Sequence, residues 1–192
     1  MSSRTFKIAG WLAMASAFLT LPLVYLSYTL EGRVDPESNV LQTIIQVSGV
    51  LLFVALVLFL RKLLNTYFNF SVVNRNLDLM MAGEVLTGIL SVAALYVTPM
   101  KEQLGYAVVV ILVVQGGIQA QLGFKLLKLP DSLEGLLKPF CYANMATGIL
   151  IASIILIPVG VLVSAISDLM LGTIFLNLSR VVKNRESKSI SS

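Results

Sequence analysis

Two carboxylic acids, Glu84 and Asp168, stand inside otherwise apolar stretches of this 192-residue chain. Such a group in such a place can hold a proton, accept hydrogen bonds or bind a cation. A charge at the centre of a bilayer costs about 2.5–3.5 kcal/mol on insertion scales, so neither acid should face lipid. Glu84 lies about nine residues past Arg75, roughly 13 Å along a helix and close to mid-bilayer, and Asp168 is similarly deep. The cation nearest in sequence to Asp168 is Arg180, roughly 18 Å away along a helix and too far for a direct pair. Each acid must therefore find a proton, a polar neighbour or a visiting cation.

Helical spacing groups other polar residues with these acids. Residues three and four apart share a helix face, which puts Glu84, Thr87, Gly88 and Ser91 on one stripe and Asn144, Thr147, Gly148 and Ala152 on another. Gln115, Gln119 and Gly123 form a third stripe, and Ser164, Asp168 and Gly172 a fourth. Gln42 and Gln46 fall nearer the opposite surface. The candidate polar site is thus Glu84, Asp168, Asn144, Gln115, Gln119, Thr87 and Thr147. Small residues beside polar ones are also what close helix–helix contacts in lipid use, because the backbones approach and the side chains hydrogen-bond across. Two functional classes follow from the same residues. The leading expectation is a structural or accessory bundle held by these contacts; the alternative is a small transporter using Glu84 and Asp168 for proton or cation exchange.

Other chemistry is restricted by composition. The chain has one cysteine, Cys141, and no histidine. An internal disulfide is impossible, and neither His-ligated zinc or haem nor an imidazole base is at hand. Cys141 reads as a small packing residue. With no nucleophile motif, phosphate loop or metal-ligand spacing, the expectation is a non-enzyme with no cofactor and no metal.

The elements that must position these groups are six apolar stretches: 8–28, 40–60, 77–97, 104–124, 140–157 and 160–178. Each is near the roughly 20 residues that a spanning helix needs. Hydrophobic residues make up 57% of the chain, charged residues 12%, and the mean hydropathy is +0.88, so the apolar surplus must face lipid. Of the 14 Lys and Arg residues, only Arg33 and Lys101 lie off the side that carries the rest. Arg4 and Lys7, then Arg61, Lys62 and Arg75, then Lys125, Lys128 and Lys138, then Arg180, Lys183, Arg185 and Lys188 all fall on one face of the membrane. The positive-inside rule makes that face cytoplasmic and places both termini there, as in a bacterial inner (plasma) membrane. A net charge of +4 therefore reflects topology, and no nucleic-acid partner is implied. Ala15-Ser16-Ala17 has the small-x-small pattern of a signal cleavage site, but the apolar run continues through Leu26, as a retained span would.

Spans three and five share a pattern. Glu84-Val85-Leu86-Thr87-Gly88-Ile89-Leu90 matches Asn144-Met145-Ala146-Thr147-Gly148-Ile149-Leu150, and upstream Ser71 and Asp131 stand at the same offset as N-cap residues. Spans two and six agree more loosely around Val47-Ser48-Gly49 and Val163-Ser164-Ala165. The expected fold is an all-α integral membrane protein, a six-transmembrane-helix bundle built as three diverged parallel helical hairpins.

Trp11, Tyr25, Tyr28, Tyr96, Tyr106 and Tyr142 sit near span ends as an interfacial belt would, and Tyr67, Phe68 and Phe70 rest at headgroup level. Residues 130–134 read as the start of a short surface helix that Pro139 breaks. Gly116-Gly117 is the one flexible pair central to a span. From Lys183 the chain is a basic, polar cytoplasmic tail. The expected surroundings are the lipid bilayer, with other membrane subunits or further copies of the chain as partners.

Overall fold

A computed structural model describes residues 3–30, 35–129 and 135–190. It is helical, with α1 Ser3–Leu30, α2 Pro36–Tyr67, α3 Asn74–Tyr96, α4 Lys101–Leu126, α5 Leu137–Ala152 and α6 Ile157–Ile190, and a 3-10 turn at Thr98–Met100 before α4. Five helices, α1 to α4 and α6, are long and apolar enough to cross a membrane. Their outer faces fit that environment. Phe18, Leu51, Val110 and Ile155 are 62–87% exposed, a surface that water would penalise and hydrocarbon would not. The six tyrosine and tryptophan residues of the expected belt also point outward.

The fifth stretch differs from the expected 140–157. α5 has 16 residues and rises roughly 24 Å, short of a hydrocarbon core of about 30 Å. Apolar content continues past its end, so hydropathy alone does not register the break. Backbone geometry does: Ile154 takes φ 62°, a region that a β-branched residue enters only when its surroundings hold it there. The Ser153 hydroxyl donates to the Leu150 carbonyl at 2.7 Å and accepts the Leu156 N–H at 3.3 Å. This serine thus serves carbonyls and amides on both sides of the turn into α6.

Helix ends elsewhere are set by short-range bonds. Asp35 caps α2 by accepting the Ser38 N–H at 2.9 Å, with Pro36 in the first helical turn, the arrangement that suits a residue lacking an N–H. Ser71, expected to cap the third helix, does not. Val73 stands at that position without a side-chain cap, and Asn69 at φ 50° turns the chain so that the Phe70 N–H reaches the Leu64 carbonyl. Backbone bonds already close this turn, which leaves no role for the serine hydroxyl. Asp131, with the whole 130–134 segment, lies outside the described residues, as does Arg33. α6 continues as helix to residue 190 through the stretch read as a tail.

Each helix packs on its two neighbours in sequence, and α6 returns to α1, so the six form a closed ring in chain order. The closest pairs are α1 with α6 and α4 with α5; α1 with α2 is the loosest. Antiparallel register is visible along α1 and α6. Ser3 and Ser179 exchange hydroxyl-to-carbonyl bonds at 3.0 and 2.9 Å, and Gly10 meets Gly172 so closely that a Cβ on either would lie 3.0 Å from the other's carbonyl oxygen. The glycines let two backbones touch, as small residues do at membrane helix crossings.

The buried apolar core gathers at the basic end of the bundle. Leu63 and Leu64 of α2, Leu77 of α3, Leu126 of α4, Phe140 of α5, and Phe175 and Leu178 of α6 interlock there. Phe6 lies beside Phe175 with ring centroids 6.4 Å apart. Arg61 and Asp78 form an ion pair at 2.6 Å across α2 and α3, and Lys125 donates to Asn76, which in turn donates to Gln121 at 2.7 Å across α3 and α4. Side chains thus close the ring at this end and leave the middle more open.

Candidate functional site

A cavity of about 350 Å³ lies inside the ring, and every one of the six helices contributes to its wall. α3 supplies Glu84, α4 Gln119, α5 Asn144, and α6 Ser164, Ser167 and Asp168. α1 adds Ser16, Thr20 and Ser27, and α2 adds Gln46 together with a run of apolar residues from Val50 to Leu60. The floor at the basic end is Leu77, Leu122, Phe140 and Leu171. From there the cavity extends between α1 and α2 as far as Val24, Ser27 and Ile45.

Of the seven residues expected from sequence, four meet here: Glu84, Asp168, Asn144 and Gln119. The other three serve packing. Gln115 donates to the Met80 carbonyl at 3.1 Å and covers Gly83, where a Cβ would collide with the glutamine side chain. Thr87 and Thr147 are buried away from the cavity, and their hydroxyl oxygens have no hydrogen-bond partner among the described residues. Threonine at these positions keeps its neighbours close, next to Gly88 under Val50 and Gly148 against α4. The matched Thr-Gly pairs therefore lie in packed contacts, while the matched Glu84 and Asn144 both face inward.

The two acids have different surroundings. Asp168 accepts a hydrogen bond from Ser16 at 2.8 Å, across α1 and α6. Among the described residues, Glu84 has no hydrogen-bond or ion-pair partner, and no lysine, arginine or histidine lines the cavity wall. No group of three Asp, Glu, His or Cys residues that could hold a metal ion is found among the described residues. What the site offers is two carboxyl groups and several neutral donors and acceptors, without a cationic side chain among the described residues.

Asn144 organises the α5 side of the wall. Its amide donates to Ser167 at 2.8 Å and to the Phe140 carbonyl at 3.1 Å, and its oxygen accepts from Gln119 at 3.4 Å. One side chain thus ties α4, α5 and α6 together. Replacing it with Leu removes those bonds and strands Ser167 and Gln119 in a poorly hydrated wall, at a cost of about 1–3 kcal/mol. The expected result is a lower unfolding midpoint in mild detergent; a midpoint equal to that of the native chain would show that the network contributes nothing to stability.

Ser16 and Ser167 were not among the expected site residues. Ser16 had a competing explanation in the cleavage-like Ala15-Ser16-Ala17, yet the spacing Ala9, Ala13, Ser16, Ala17, Thr20 is a small-residue face on α1, and Ser16 is the member that meets Asp168. Ser167 stands next to Asp168 and leans to the α5 side. Gln46, assigned by position to the far surface, lines the cavity. Gly116, read as half of a flexible pair, is a contact residue: α4 runs through it unbroken, and a Cβ there would lie 2.8 Å from the Ala152 N atom. A comparison of the chain with models of known protein families, with curated proteins and with solved structures finds no match.

Proposed function

We propose that this chain is a small, non-enzymatic membrane carrier that binds a cation or proton at Glu84 and Asp168 inside the ring. The observation that carries the reading is the cavity itself, which receives both acids with no basic residue beside them among the described residues. A carboxyl group in such a place is compensated when a cation or a proton arrives, and loading and unloading it is the elementary step of exchange. The volume of about 350 Å³ lies in the range of small-molecule sites. In this reading the chain spans the membrane six times, with α5 as a short span. Both termini lie in the cytoplasm of a bacterial inner membrane, and the apolar floor seals the cytoplasmic end.

The alternative of an accessory bundle rests on polar and small residues that pack. Gln115, Thr87 and Thr147 do that, as does the Asn144 network with Gln119, whereas the carboxyl groups of Glu84 and Asp168 line open space, and the two acids favour the carrier. The test is exchange in proteoliposomes carrying a trapped pH dye, with inorganic or organic cation gradients applied outside. The native chain should move protons against the added cation. Glu84→Gln and Asp168→Asn should each lower the rate at least tenfold while keeping the native elution profile. Equal rates in both variants and the native chain would remove the acids from the mechanism and the carrier reading with them.

A further inference from the structure

The wall of the cavity is divided by chemistry. Above the apolar floor, α3 to α6 contribute Glu84, Gln119, Asn144, Ser167 and Asp168, and α1 and α2 add Ser16, Thr20 and Gln46. Beyond Gln46, the inner face of α2 is apolar, with Val50, Leu52, Phe53, Leu56 and Val57 in the wall. This arrangement bears on what the cavity can hold. A bare metal cation needs several oxygens around it, six or more for calcium and magnesium, and here a large part of the surround is aliphatic or aromatic. An anion would meet two carboxyl groups and, among the described residues, no basic side chain. A neutral apolar molecule would leave both acids to be compensated by protons alone. With one of the two acids protonated, the ligand that satisfies both halves carries one positive charge and an apolar body.

We propose that the cavity takes a monovalent organic cation with an apolar body, a substituted ammonium, its charged head toward Glu84 and Asp168 and its body against α2. The assignment rests on the carrier reading and narrows it to a substrate class. Glu84, with no protein partner among the described residues, is the primary counter-charge. Asp168, already bonded to Ser16 at 2.8 Å, is the secondary one. Phe53 supplies an aromatic surface on the apolar side, where a hydrocarbon body is buried and a cationic head is attracted when it lies over the ring face. The same charge requirement explains why the polar side carries hydroxyl and amide groups in place of lysine or arginine, which would repel the ligand.

The test is direct binding by the purified full chain in detergent, read by calorimetry with benzyltrimethylammonium as probe. Sodium, calcium and the neutral benzyl alcohol serve as comparison ligands. Benzyltrimethylammonium should bind at one site per chain, benzyl alcohol at least tenfold more weakly, and neither sodium nor calcium should displace the probe at equal concentration. Glu84→Gln should weaken probe binding at least tenfold. Phe53→Ala should weaken benzyltrimethylammonium several-fold and leave tetramethylammonium nearly unchanged, which keeps the proposal testable if the Glu84 variant does not fold. Benzyl alcohol binding as tightly as the cation would overturn the proposal, and so would sodium or calcium binding where the organic cation does not. The second result leaves the carrier reading standing, since inorganic cations would still load the acids. Absence of binding by any cation, together with absent exchange in proteoliposomes, overturns both.

Discussion

Replacing Gly148 with Leu is expected to destabilise the bundle by about 3 kcal/mol or more, at the upper end of what overpacking a close contact costs. A Cβ at Gly148 would press into the Gly116 carbonyl oxygen and the Ala120 backbone, and one at Gly116 would press into Gly148 and Ala152. The obstructing atoms are backbone, so no side chain can rotate away, and α4 and α5 must separate to admit the new side chain. Further along, Gly123 meets the Cys141 carbonyl and Met145 in the same way, so the separation would be felt along the whole crossing. Gly117 offers an internal control: it is adjacent to Gly116, and a Cβ there meets nothing within 4 Å. The measurement is unfolding by denaturing detergent in mixed micelles. Gly148→Leu should shift the transition strongly and Gly117→Leu should leave it near the native value. Similar shifts for both would mean that α4 and α5 do not cross at these glycines.

Phe175→Ala should be comparably severe, at about 3 kcal/mol, the low end of the range for removing a buried aromatic ring. Phe175 is fully buried at 0% exposure and touches Phe6 across α1 and α6. The low end applies because helices separated within a micelle keep their apolar faces out of water, so lost packing and the void dominate over transfer to water. Phe18 is the matched comparison, since it is 72% exposed on the outer face of α1. Phe18→Ala should change the midpoint little. If the two variants unfold alike, the apolar cluster is not what closes the basic end. A leak of small ions through Phe175→Ala, absent in the native chain, would further identify that cluster as the seal beneath the cavity.

Both substitutions act on contacts that differ in how far they can be read from the sequence. Gly148 stands in a small-residue stripe with Thr147 and Ala152, and the stripe alone identifies a contact face; the partner glycine on α4 does not follow from it, because Gly116-Gly117 reads equally well as a flexible point. Asp168 and Glu84 are recognisable as interior groups from the cost of placing charge in lipid. Their surroundings are not, because Ser16 lies about 150 residues away in sequence and reaches Asp168 only after α6 has folded back against α1. Gln115 and Gln119, four residues apart on one stripe, show the same limit. One packs against Gly83 and the other faces the cavity, since the wide angular spread of a helix stripe is divided by where the neighbouring helix passes.

The sequence by itself determines that the chain is helical, that it carries enough apolar surface for several membrane-crossing helices, and that its basic residues gather at one end. Those properties follow from composition and from the local period of the helix, which need no partner. The tertiary structure decides that the helices close a ring in chain order, that α5 stops at Ala152, and that four of the seven candidate residues meet around one cavity. Each depends on which faces touch, and that is settled by backbone approach at glycines and by hydrogen bonds between residues far apart in the chain. Neither leaves a periodic trace in the sequence of a single helix.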